Sequence, residues 1–200
     1  MIHWILPGQL QRSKSLSIRY LGKAYTPSDL EPINSETVIL RPWQPDDRNT
    51  LVILGNNPNI ARFLTDAFPS PYTEEKGDAF ISMANQETPP RILAITLEDQ
   101  PVGAIGLHPQ TDIHCQNAEM GYWLGEPYWG KGIMTRAIRM MVTYGFTHLP
   151  VNRIFARPIH TNIGSQRALE KAGFTLEARL QGTILKHGEV LDELIYGIRR

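Results

Sequence analysis

Apolar and polar positions change period several times along the chain, and each change marks an element. "TVILRPW", Thr37 to Trp43, is a β-branched apolar run halted by Pro42, and it reads as a strand. Asp46 and Asp47 after Pro45 predict a helix start leading into "RNTLVILGNN", and Pro58 opens another short segment. "SPYTEEKGDAFISMANQ" carries Ala79, Phe80 and Met83 at helical spacing, with a cap near Thr73. "RILAITLEDQPVGAIGL" reads as a hairpin around Glu98, Asp99 and Gln100, its second strand opening at Pro101; "NAEMGYWLG" is a third strand after a polar turn. Ile133, Ala137, Ile138, Met141, Val142 and Phe146 then form the apolar stripe of one long helix. "VNRIFARPI" is a strand ending before Pro158, and "NIGSQRALEKAG" a helix closed by Gly173. The last segment, "FTLEARLQGTILKHGEVLDELIYGIRR", holds the final strands and turns at His187-Gly188.

The resulting order is strand, two or three helices, three antiparallel strands, helix, strand, helix, strands. That is a mixed α/β fold of the α+β type, because a meander in the middle excludes a doubly wound sheet. Residues 1–36 differ from the rest. Pro7, Gly8, Pro27 and Pro32 punctuate them, and no acid appears before Asp29. "MIHWILPG" lacks the basic start and the apolar length of a secretory signal. The reading is an N-terminal extension over 1–36 and one domain over 37–200.

Composition narrows the class. Apolar residues make up 42% and charged residues 20%, which suits a soluble globular protein. Twenty bases balance twenty acids, so the net charge calls for neither nucleic acid nor membrane. No apolar run approaches the roughly 20 residues of a membrane span. Cys115 is the single cysteine, which rules out an internal disulfide and fits a cytoplasmic location. The charge is unevenly spread, however. Pro127 to Lys171 holds seven bases against the single acid Glu170, which suits either solvated helix faces or an anion site.

The candidate chemistry centres on "GEPYWGKGIMTRA", Gly125 to Ala137. It runs glycine, four residues, then Gly130-Lys131, as a nucleotide-triphosphate loop does, but Gly132 stands where that loop needs Ser or Thr. The hydroxyl that would hold Mg²⁺ is therefore missing, the interior Glu-Pro-Tyr-Trp is bulky, and "RIFARP" ends in Arg157 and Pro158, not in an acid. What survives is a metal-free pyrophosphate gripped by amides at a helix N-terminus. His108, His114 and Cys115 do not form a chelating set, so no metal is expected.

"GYWLGEPYWGKGIMTRAI" followed by "VNRIFARPIHTNIGSQRALEKAGF" resembles the GCN5-related N-acetyltransferase (GNAT) superfamily, in its RimJ/RimL-like ribosomal-protein branch. "TVILRPWQPDD" and "GEVLDELIYGI" resemble that branch's opening and closing strands, so the likeness covers roughly residues 37–200. The resemblance implies a mostly antiparallel central sheet with helices on both faces, and acetyl-CoA in a gap between two splayed strands. It implies that Gly130, Lys131 and Gly132 grip the pyrophosphate, within a cofactor-binding run of Trp129, Ile133 and Met134. The backbone of Tyr122, Trp123 and Leu124 and the side chain of Asn162 would hold the pantetheine arm.

Two positions depart from the superfamily. Pro127 stands where the phosphate motif usually opens with Gln or Arg. Leu169 stands where many relatives carry a tyrosine acid, leaving Ser165 as the donor to the thiolate. Glu119, two residues before Gly121, is the candidate base acting through water. Residues 56–72, with Phe63, Asp66, Phe68 and Tyr72, and the 181–189 turn would shape the acceptor pocket. An α-amine near pKa 7.7–8.0 is easier to find neutral than a lysine near 10.4, which favours a protein N-terminus as acceptor. A polyamine or antibiotic amine, another acyl-CoA, and a catalytically silent acyl-CoA-binding module stay open, as do monomer and homodimer.

Overall fold

The computed structural model describes residues 33–35 and 38–200. Among the described residues, eight strands form one sheet in the order β1-β2-β3-β4-β5-β6-β8-β7. They are β1 (Ile33–Ser35), β2 (Val38–Arg41), β3 (Ile92–Leu97), β4 (Gln100–Pro109), β5 (Asn117–Leu124), β6 (Arg153–Ala156), β7 (Thr175–Lys186) and β8 (Glu189–Arg199). Every neighbouring pair is antiparallel except β5 and β6, which run parallel. The helices are α1 (Arg48–Gly55), α2 (Pro58–Ala61), α3 (Glu74–Ala84), α4 (Ile133–His148) and α5 (Ile163–Lys171).

Local chemistry accounts for most of these boundaries. The Thr73 hydroxyl caps α3 at the Lys76 amide. Gly173, at φ 100°, takes the left-handed position that ends α5. Glu98 and Asp99 (φ 47° and 63°) close the β3–β4 hairpin, and His187 and Gly188 (φ 51° and 82°) close β7–β8. Both are two-residue turns whose positive φ values match the twist of the strands they join. β1 lies within the stretch that sequence reading assigned to the extension, because Ile33 to Ser35 pair with Val38 to Leu40. The remainder of that extension lies outside the described residues.

Helices cover both faces. On one, Leu40, Ile95, Ile105, Leu107 and Met120 pack against Ala137, Ile138 and Met141 of α4 and Leu169 of α5. On the other, Ala94, Ala104 and Trp123 pack against Leu51, Ile60 and Ile81 of α1, α2 and α3. The stripe of α4 is rotated from the expected one: Val142 and Phe146 are half-buried, whereas Met140, Tyr144 and Gly145 are buried. The helix lies tight against the sheet at Gly145, where an added Cβ would stand 2.5 Å from Leu107 Cδ1. Tyr144 tolerates burial because its hydroxyl donates to the Pro90 carbonyl at 2.8 Å.

A buried ion pair fastens the start of the domain. Arg41 donates to both oxygens of Asp47, at 2.7 and 2.9 Å, with both side chains less than 9% exposed. The same guanidinium donates to Asp99 Oδ1 and to the Asp99 carbonyl, each at 2.9 Å. One arginine thus holds β2, the turn before α1 and the β3–β4 hairpin.

The sheet forks between β5 and β6. Asn117, Ala118 and Glu119 pair with Arg153, Ile154 and Phe155, and the pairing stops there. From Met120 onward β5 stays with β4. β6 pairs with β8, and Ile159 just beyond it bridges to Glu193.

Candidate active site

The fork opens into two cavities that share walls. The larger, about 610 Å³, runs from Tyr122, Trp123 and Leu124 along Trp129, Gly130, Gly132, Ile133 and Met134 to Asn162, Arg167 and Lys171. The smaller, about 90 Å³, is walled by Phe63, Leu64, Thr65 and Asp66, by Arg157 to Ile159, and by Ile184 to Lys186. Phe63, Leu64, Tyr122, Asn162 and Ser165 belong to both. The small cavity draws its walls from the two regions expected to shape an acceptor pocket.

The large cavity ends at the N-terminus of α4. Gly132 is the N-cap at φ 76° and no side chain caps the helix, so its first-turn amides and dipole are available to an anion. Gly130 also has positive φ, 74°, and a Cβ built on either glycine meets nothing within 4 Å. The glycines are therefore required by backbone conformation, and the space in front of them is open for a ligand. Lys131, between them, turns its ammonium over the Tyr128 ring at 5.7 Å, and its side chain does not line the groove. Basic side chains in the wall come instead from Arg62, Arg167 and Lys171. Gly132→Ala is expected to weaken CoA binding about tenfold in calorimetry, since left-handed backbone costs a residue with a Cβ ~1–2 kcal/mol. An unchanged Kd would remove these amides from the phosphate site.

The loop before the helix is braced on both sides. Trp129 Nε1 donates to the Leu124 carbonyl at 2.7 Å, so that part of β5 is already engaged by the protein. Glu126 accepts from Asn57 Nδ2 at 2.6 Å and from Asn59 Nδ2 at 3.0 Å, tying the loop to α2. Those two amides hold the Glu126 carboxyl below its ordinary pKa.

Side chains at the fork meet in a way the sequence did not reveal. Asn162 caps α5 by accepting from the Ser165 amide at 3.1 Å, which fixes Ser165 at the first turn. The Ser165 hydroxyl lies 2.6 Å from the Tyr122 hydroxyl, at the junction of the two cavities. Burial pushes the Tyr122 phenol well above its ordinary pKa, with its contact to Ser165 opposing. Sequence reading used Tyr122 only for its backbone. No local pattern links residues 43 apart, and strand register alone brings them together.

Glu119 sits one step before the strands part, opposite His108 on β4 and Phe155 on β6, and lines neither cavity. It acts electrostatically on Arg157, which also donates to the buried Glu193 at 2.6 Å. His108, facing it across the ladder, is pushed down to about 4 by burial and then by Arg91, so it is neutral near pH 7. Of the three aromatics expected at the acceptor, only Phe63 reaches the cavities. Phe68 and Tyr72 are core residues, packed edge to face on each other at 5.5 Å, with Phe68 against Trp123 at 6.0 Å. The nearby sheet and α1 provide the apolar surface that draws them inward.

A forked sheet with uncapped helix amides at one end of the groove and a small pocket at the other suits an acyl-CoA-dependent transferase. Residues 37–175 match the family described as Acetyltransferase (GNAT) domain, and the chain belongs to that family. It is an N-acetyltransferase, and proteins of this family use acetyl-CoA. "Probable N-acetyltransferase YjcK" of Bacillus subtilis (strain 168) is 37% identical over 101 residues, covering 50% of this chain and 56% of that protein. "Spermidine N(1)-acetyltransferase" of Escherichia coli (strain K12) is 24% identical over 162 residues, covering 78% of this chain and 82% of that one. The crystal structure of a Salmonella typhimurium acetyltransferase that modifies the N-terminal serine of a 50S ribosomal subunit protein superimposes with a TM-score of 0.71. It is 20% identical, with 85% of this chain and 99% of that one covered.

Proposed function

We propose that the enzyme transfers acetyl from acetyl-CoA to a protein N-terminal α-amine by direct attack on the thioester. The observation that carries this reading is the Tyr122–Ser165 hydroxyl pair where the large groove meets the small cavity. The groove takes CoA, with its pyrophosphate on the Gly130–Gly132 amides, and the small cavity takes the amine. The amine nitrogen bonds to the thioester carbon and the C–S bond breaks. Ser165 gives its proton to the departing sulfur while Tyr122 passes its own proton to Ser165, and Tyr122 takes one back from water in the open groove. The amine proton leaves through water towards Glu119, at the root of the fork. An α-amine asks less of this base than a lysine does, because more of it is neutral near pH 7.

The test is thiol release with acetyl-CoA against Ser-, Ala- and Met-starting peptides, spermidine and aminoglycosides. Turnover is expected with the peptides. Silence across all acceptors, with CoA bound tightly, would instead make the chain a CoA-binding module. Glu119→Gln is expected to lower kcat with CoA affinity intact, and unchanged turnover removes Glu119 from the base role.

A further inference from the structure

The geometry points to Lys186 as the residue that selects the acceptor by charge, admitting an amine without a second positive charge nearby and rejecting polyamines. This rests on the small cavity being the acceptor site. Its wall is largely apolar, from Phe63, Leu64, Ile159 and Ile184, and its charged groups are already matched. Lys186 donates to Asp66 at 2.6 Å, bridging β7 to the loop after α2 across 120 residues of sequence. Arg157 donates to Glu193 at 2.6 Å.

The arrangement of the first pair sets its effect. The Lys186 side chain is 9% exposed, whereas that of Asp66 is 82% exposed. Both groups line the cavity, the cation buried in its wall and the anion at its solvent edge. Lys186, through its hydrogen bond and then its charge, holds the Asp66 carboxyl below its ordinary value, with His187 adding on the same side. A polyamine would seat one nitrogen at the Tyr122–Ser165 end of the cavity and bring its next cation to the Lys186 end. There it meets the Lys186 cation and a carboxylate already engaged by that cation, so the pair offers it no net attraction. A peptide N-terminus followed by uncharged residues places only apolar and amide groups against the same wall.

Calorimetry with spermidine as the probe, on enzyme saturated with CoA, tests this. Lys186→Met frees Asp66 and is expected to tighten spermidine about fivefold, the scale of one partly exposed charge pair. Adding Asp66→Asn should abolish that gain. Asp66→Asn alone, a surface change that leaves Lys186 unopposed, should weaken spermidine below wild type and serves if Lys186→Met does not fold. Wild-type binding as tight as that of Lys186→Met, or a gain that survives Asp66→Asn, overturns the assignment. So does a higher kcat/KM for spermidine than for an Ala-starting peptide. If no amine is acetylated at all, the transfer reading falls, while the order of spermidine affinities still judges the role of Lys186.

Discussion

Tyr122→Phe is expected to lower kcat about 10²-fold while leaving the Kd for CoA within a factor of two or so of wild type, since general acid catalysis contributes roughly 10²–10⁴-fold. The phenol and the Ser165 hydroxyl are 2.6 Å apart, and burial keeps the phenol protonated through the working pH range. Either hydroxyl can donate in this pair, and when Tyr122 does so the Ser165 proton is free to point at the sulfur. Phenylalanine fills the same volume but removes that donor, so Ser165 loses both its orientation and its source of a replacement proton. Ser165→Ala should fall by a similar factor. It does not melt α5, because Asn162 caps the helix through the backbone amide of Ser165 and not its hydroxyl. The double variant should be no slower than the worse single one, as for residues that act as a unit. Multiplicative losses would show two independent contributions. A loss confined to CoA affinity, with kcat intact, would show that the pair only positions the cofactor.

Asp47→Ala is expected to destabilise the fold by about 3–5 kcal/mol in urea unfolding, the range for removing one partner of a buried ion pair. The carboxylate is 5% exposed, accepts two bonds from Arg41 and also accepts from the Gln44 amide at 2.8 Å. Its loss leaves a guanidinium 8% exposed with Asp99 as its remaining carboxylate partner, and Asp99 is 75% exposed. Arg41→Met combined with Asp47→Ala should cost much less than Asp47→Ala alone, because no charge is then left buried. A destabilisation below about 1 kcal/mol for the single change would mean that Asp99 and solvent suffice for Arg41. Acetyl transfer at low temperature should survive the change, since Arg41 and Asp47 line neither cavity.

The long helix shows how far periodicity reaches. Its existence and its first buried turns follow from Ile133, Ala137 and Ile138, but the choice between Phe146 and Tyr144 turned on a carbonyl at Pro90 and a close contact at Gly145. Neither lies on the helix's own apolar repeat. The aromatics of residues 56–72 divide in the same way. Phe63 faces the fork while Phe68 and Tyr72 enter the core, and only the sheet's position distinguishes them.

By itself the sequence determined most of the elements, their order and the glycine loop at the start of α4. Each is written in contiguous residues: apolar period, a capping side chain, or a glycine at positive φ. The need for glycine at 130 and 132 was legible for that reason, and so was the lack of a metal-binding hydroxyl at Gly132. The tertiary structure decided what meets at the fork. Tyr122 and Ser165 lie 43 residues apart, and Lys186 and Asp66 lie 120 apart. Each pair exists only because the parting of β5 from β6, together with the β7–β8 hairpin, folds distant side chains onto the same two cavities. Contacts of that range depend on strand order and register, which no local pattern encodes.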